Sequence, residues 1–247
     1  MFELHSNLIH GHQRYTPLYS GREVDIFNLA QRDIVIEDIA HALSQLPMYG
    51  GHVKYHYSVA QHSVARLSAF DYTVRSSAET WLGEGLYAKI AMSVLLYDAP
   101  AAYVGYMPTL CSDTMAYTML MCIAHVKDTK EAAGLTLRVA QLYNLEISLR
   151  NMIFDRFGAI YDHSSFDAVN QSLREWEART LLGVNFHSRQ PRRLYSLKFD
   201  NVEQIDPEYA EELYLNRYKW LRMQLETLPC AEAPVQPPHN GQAGGVE

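Results

Sequence analysis

Apolar residues recur at helical spacing along most of this chain, and that period leaves an all-α fold as its main solution. Ile36, Ile39, Ala40 and Leu43 fall on one helical face, with Glu37 and Asp38 near the start, where the helix dipole favours acids. Similar spacing predicts helices at about 58–67, 79–96, 113–127, 131–142, 146–158, 165–182 and 207–227. Ser58 is a suitable N-cap for the second helix. Asp206, Pro207 and Glu208 together make a strong start for the last. The helix ending at Leu96 is nearly continuous in apolar residues over its second half, which predicts a central, buried position.

Two stretches depart from the pattern. Between 187 and 205, Tyr195, Leu197 and Phe199 alternate with Ser196 and Lys198, as in a short strand or an extended arm. From Leu228 onward the chain is rich in Pro and Gly and poor in large apolar groups. It cannot bury enough surface to offset its ordering entropy, so a disordered tail is expected at 228–247. The resulting organisation is one helical domain over 16–227, with a lead-in at 1–15.

At 247 residues the chain can form an ordinary core, and 48% hydrophobic with 20% charged residues is a globular composition. A net charge of −7 argues against a nucleic-acid coat or a membrane-surface protein, both of which need positive potential. The local run Arg189, Arg192 and Arg193 beside Tyr195 is the one candidate for phosphate, RNA or a nucleic-acid single strand, against the overall charge. No apolar run is long enough to span a bilayer, and Met1-Phe-Glu-Leu-His-Ser does not open like a secretory signal. Cys111, Cys122 and Cys230 lack metal-type spacing, an odd and sparse set that suits free thiols in a reducing compartment. A cytoplasmic location is expected.

The chemistry-bearing motifs are Asp38-Ile-Ala-His-Ala-Leu-Ser44, Gly50-Gly-His52, Tyr57-Ser-Val-Ala-Gln-His62-Ser and Leu95-Leu-Tyr97-Asp98-Ala-Pro-Ala101-Ala-Tyr-Val-Gly105-Tyr106. Together with Glu177-Ala-Arg179 and the closing segment Ile205–Tyr218, they resemble the HD superfamily of metal-dependent phosphohydrolases. The likeness is to its phage-type and bacterial 5′-deoxynucleotidase-like branch and runs from about Thr16 to about Leu225. It implies a single HD-type helical bundle and, in working members, hydrolysis of nucleotides or deoxynucleotides. For a phage-encoded chain the location would be the host cytoplasm. Fold alone does not transfer an activity.

The resemblance also implies a metal held by a His, a His-Asp pair and a distant Asp. Such an ion polarises the phosphoryl oxygen and lowers the pKa of its bound water. His62 and Asp98 match the first ligand and the Asp of the pair. Where the family pattern reads Leu-Leu-His-Asp-Ala-Pro-Glu-Ala-Tyr-Ile-Gly-Asp, this chain has Tyr97, Ala101 and Tyr106 at the three polar positions. The distant Asp, seven residues before the Glu-x-Arg motif, is Asn170, and an Arg usually found before Gly-Gly-His is Met48. A phenol with a pKa near ~10 is a poor metal ligand, and an amide brings no charge.

All five changes remove charge or coordination. The expectation is a non-catalytic HD protein that binds a partner or a nucleotide, with no cofactor. His52, Tyr97, Tyr106, Glu177 and Arg179 are the candidate binding residues. Tyr97 and Tyr106 would either stack on a base or plug the cavity. Seventeen tyrosines also suit a protein-binding face, and a homo-oligomer is compatible. The alternative is a nucleotide phosphohydrolase with a rearranged site of His62, Asp98, Asp167 or Asn170, and one further histidine from His52, His56 and His163, around a Mn, Co or Mg ion.

Overall fold

The computed structural model describes residues 16–25, 28–76, 83–106, 109–183 and 204–227. The lead-in, the basic run with its alternating segment up to 203, and the tail lie outside the described residues. The described part is all-α, as the periodicity predicts, with one two-stranded ribbon.

The ribbon pairs β1 (Thr16–Pro17) with antiparallel β2 (Glu23–Val24) around a turn in which Gly21 has a left-handed φ of 78°. It is tied to helix α1 (Ile36–Gln45) through Ser20. The Ser20 backbone N–H donates to Asp38 Oδ1 at 2.6 Å and its hydroxyl to Oδ2 at 2.8 Å, which satisfies an otherwise costly buried carboxylate. Tyr19 stacks on His41 with ring centroids 3.6 Å apart, and His41 reaches Glu211 at 2.9 Å. The α1 face of Ile36, Ile39, Ala40 and Leu43 is buried, as its spacing requires.

After α1 the chain makes a short 3-10 turn at Met48–Gly51 and enters α2 (Val59–Ser76). Ser58 caps α2 by accepting from the Gln61 N–H at 3.1 Å. From Val59 to Leu67 every residue of α2 is buried, and α2 touches α1, α3 (Glu84–Leu96), α7 (His163–Leu181) and α8 (Pro207–Thr227). Its small residues Ala60, Ser63, Ala65 and Ala69 admit these neighbours closely. The strongly apolar α3 is buried from Ile90 to Leu96. The most enclosed position, however, goes to α2, because four helices surround it. α4 (Ala101–Val104) follows α3 and packs on α1.

α5 (Thr109–Ala124) and α6 (Thr129–Phe157) form a hairpin, with Asp128 capping α6 by accepting from the N–H groups of Lys130 and Glu131. The spacing predicts two helices over 131–158, yet α6 runs unbroken to Phe157 and ends at Gly158, in the left-handed conformation. Tyr143-Asn-Leu145 holds no Gly or Pro, and Asn144 alone cannot stop a helix already propagating. α8 begins as expected: Asp206 accepts from the Tyr209 N–H at 2.7 Å.

Candidate functional site

The retained motif residues meet around the first half of α2. His62 lies on its second turn, fully enclosed, and Nδ1 is 2.6 Å from Glu177 Oε1 on α7. A carboxylate only accepts, so this contact places the ring proton on Nδ1 and directs Nε2 the other way. There it lies 3.9 Å from Asp98 Oδ2, beyond hydrogen-bonding distance.

Glu177 is completely buried and collects three donors. Besides His62, the Tyr57 hydroxyl donates to Oε1 and the Tyr49 hydroxyl to Oε2, the latter at 2.5 Å. Tyr49 comes within reach because its own backbone is left-handed, with a φ of 56° next to Gly50 at 63°. A non-glycine residue takes that conformation at a cost, held here by the surrounding contacts. Burial and the adjoining Glu177 charge push both phenols well above their ordinary pKa, so they remain donors.

Asp98 sits just past the end of α3 and is not free. The guanidinium of Arg66, one turn beyond His62 on α2, binds its Oδ2, and Arg66 Nη1 also donates to the Val94 carbonyl at 3.4 Å. Burial alone would raise the Asp98 carboxyl. The charges of Arg66, His62 and Arg150 outweigh it and hold the group below its ordinary value. Arg66 keeps 1% of its side-chain surface exposed and Asp98 keeps 18%. Arg66 Nε has no hydrogen-bond partner among the described residues. The rings of Tyr97 and Phe166, 5.4 and 5.3 Å from the guanidinium carbon, flank it as cation–π partners.

Tyr97 is held equally firmly. Phe166 stacks on it with centroids 3.9 Å apart, and the Arg150 guanidinium carbon lies 4.0 Å above its ring. Two groups so close to one centroid cannot share a face, so both faces of Tyr97 are covered. Arg150 Nε also donates to the Tyr97 carbonyl at 2.9 Å. That leaves no ring face of Tyr97 for a nucleotide base. Tyr106 is half-buried nearby, its phenol pushed up to about 12 by burial and then by the Asp98 charge.

The structure thus brings together His62, Asp98, Tyr97, Tyr106 and Glu177. It leaves other candidates outside this cluster. His52 is exposed at the end of the 3-10 turn, and Arg179 is exposed on α7. Asp167 pairs with His163 at 2.9 Å on the solvent side of α7, both well exposed. His56 contacts the Ser44 carbonyl at 3.3 Å. Asn170 is half-buried on α7, while Ala101 and Met48 are buried among apolar residues.

As they stand, these groups do not suit a divalent ion. Arg66 already occupies one oxygen of Asp98, and with His62 Nε2 that leaves fewer donors than the three or four that protein sites supply. Among the described residues no three His, Cys, Asp or Glu side chains are gathered to hold one ion. The Asp98 carboxylate is instead matched by the Arg66 guanidinium, while Glu177 is met by His62 and two tyrosine hydroxyls and Arg150 pairs with Glu146.

Sequence reasoning missed Arg66, Arg150, Phe166 and the two tyrosines on Glu177. For Arg66 a signal existed. It interrupts the apolar run Val64-Ala65-Arg66-Leu67 four residues after His62, the spacing that puts both on one helical face. A charge buried in such a run requires a partner.

No protein-family model matches the chain. An uncharacterized protein of Rhodobacter capsulatus is 34% identical over 94 residues, which are 37% of this chain and 43% of that protein. The chain therefore covers less than half of the length of the relative it matches. No helix among the described residues is long and apolar enough to cross a membrane.

Proposed function

We propose that this chain is an HD-like helical protein whose hydrolytic site has been closed, and that it works as a non-catalytic binding or regulatory protein. The observation that carries the reading is the Arg66 guanidinium bound to Asp98, a permanent cation against the acid that a metal would need. The covered faces of Tyr97 support it, since the ring takes up space that a substrate would require. So does Glu177, whose bonds to His62, Tyr49 and Tyr57 spend it on holding α2 to α7.

One observation favours a second reading, a metal-dependent nucleotide or deoxynucleotide phosphohydrolase. His62 Nε2 and Asp98 Oδ2 are 3.9 Å apart, close enough for both to contact one cation if Arg66 swung away.

Two measurements on the full chain, purified without chelator, separate the readings. They are metal content by elemental mass spectrometry and phosphate release from a panel of ribo- and deoxynucleotides with added Mn, Co or Mg. The closed-site reading expects metal far below one equivalent and no release above a heat-treated control. Metal near one equivalent that disappears in His62→Ala, together with nucleotide hydrolysis, would replace it with the hydrolase reading.

A further inference from the structure

We propose that Tyr49 is a strained latch: its hydroxyl on Glu177 holds the turn Met48–Gly51 closed over the buried cluster, and losing that bond lets the turn open. Tyr49, Gly50 and Gly51 follow one another with φ of 56°, 63° and 80°. Glycine takes such a backbone freely, whereas Tyr49 is the one non-glycine residue with a positive φ among the described residues. A side chain there crowds the following carbonyl oxygen, so the relaxed conformations of a tyrosine lie elsewhere. The backbone therefore works against the closed turn, and the 2.5 Å bond to Glu177 Oε2 works for it.

The three donors on Glu177 differ in how deeply they are held. His62 and Tyr57 are fully buried, and both meet Oε1. Tyr49 is half-buried, meets Oε2, and is followed by exposed Gly50, Gly51 and His52. Among the described residues Oε2 has no second hydrogen-bond donor. Tyr49 is thus the donor that can leave the carboxylate without passing through the core.

The base of the turn is fixed. The Met48 N–H donates to the Tyr57 carbonyl at 2.8 Å and the Val59 N–H to the Leu46 carbonyl at 2.9 Å, with Pro47 bridged to Ser58. Met48 and Tyr57 are buried, and Ser58 caps α2. Beyond this base the His52 N–H donates to the Tyr49 carbonyl at a longer 3.2 Å. A short exposed segment with two glycines and a firm base can swing out while α2 keeps its place. Opening uncovers the Glu177 carboxylate, which the closed turn keeps out of water. It leaves Arg66 on Asp98, so the latch stands whichever reading of the central cluster holds.

Carbodiimide coupling of Glu177 to glycine ethyl ester in the full chain, read by peptide mass mapping, reports how often the carboxylate is uncovered. Tyr49→Phe keeps the ring and the strained backbone and removes the hydroxyl. It should raise the coupling rate at Glu177 about five- to tenfold, the population shift that one net hydrogen bond supplies. Tyr57→Phe removes a bond to the same carboxylate from a fully buried position. It should lower the thermal midpoint comparably yet leave the coupling rate near the wild-type value, an outcome that a merely structural bond at Tyr49 would not produce. In the wild type, hydrogen exchange at the His52 amide should be faster than at Met48, which belongs to the fixed base. An unchanged rate in Tyr49→Phe would overturn the latch. So would an equal rise in Tyr57→Phe, or a His52 amide as protected as that of Met48. Metal content, which separates the two readings of the cluster, enters none of these measurements.

Discussion

Arg66 and Asp98 form an ion pair between the central helix and the turn that follows α3, one helical turn from His62. The pair sets the chemistry of the cluster, because the Asp98 charge is already matched by a cation that the chain itself supplies. It also carries mechanical weight: α2 and α3 are clamped at the level where α2 is most enclosed.

Replacing Arg66 with Ala should destabilise the protein by about 3–5 kcal/mol, because it leaves a mostly buried carboxylate unpaired. Asp98→Ala should cost a similar amount by stranding the guanidinium. The double variant Arg66→Ala with Asp98→Ala should cost clearly less than the two single changes added together. Urea denaturation of the four proteins measures the cycle. Additive losses would mean that the pair is not coupled.

Acid should weaken the fold through the same residue. In the native state Arg66, His62 and Arg150 hold the Asp98 carboxyl low against its burial, whereas in the unfolded chain it titrates near ~3.9. A depressed folded pKa gives stability that is fully present above the unfolded value and lost as pH falls through the folded one. Denaturation midpoints should therefore drop below about pH 4. In Asp98→Asn this part of the acid dependence should vanish, leaving a lower but flatter profile.

At the alkaline end the sign reverses. Tyr106 is raised to about 12, and burial and the Glu177 charge push Tyr49 and Tyr57 up as well. A raised folded pKa contributes stability that is intact below the unfolded value near ~10 and is lost as pH climbs through the folded one. Absorbance at 295 nm should show exposed phenols ionising first and these three late or only on unfolding. Tyr106→Phe should remove one late step without shifting the early ones.

Glu177 is the acceptor for three donors, and Glu177→Gln replaces one accepting oxygen with an NH2 that faces a donor. The expected loss is about 3 kcal/mol, against about 1–1.5 for Tyr57→Phe, which removes a single bond. Chemical denaturation gives both values. A neutral Glu177→Gln would show that His62 and the tyrosines find other partners.

Tyr97→His puts an imidazole beside His62 and Asp98 yet leaves Arg66 in place. With Asp98 still paired to the guanidinium, this variant should take up no more Mn or Co than wild type. Tyr97→His combined with Arg66→Met should gain metal, read as content by elemental mass spectrometry and as a thermal midpoint that rises with added ion. Uptake by Tyr97→His alone would mean that Arg66 is no barrier.

Much of the fold was legible because local signals and tertiary packing agree. Ile36, Ile39, Ala40 and Leu43 share a face by spacing, and that face is the buried one. Ser58 and Asp206 cap the helices that they precede, since each offers an oxygen to a backbone N–H two or three residues on. The motifs also marked His62, Asp98 and Glu177 as parts of one place. What failed locally was the break expected within α6, where cooperativity carried the helix through Asn144.

The roles inside the cluster lay beyond the sequence, because they depend on which groups from distant segments arrive together. Tyr97 reads as a missing ligand, but Arg150 and Phe166, more than fifty residues away, cover the faces of its ring. Asp167 shares a helix with Glu177, yet its side chain faces solvent and meets His163. Period and capping are properties of neighbours along the chain, so the sequence by itself determined the helices and their inner faces. Pairing of charge is a property of neighbours in space, and only the tertiary structure decided that Arg66, rather than an ion from solution, would answer Asp98.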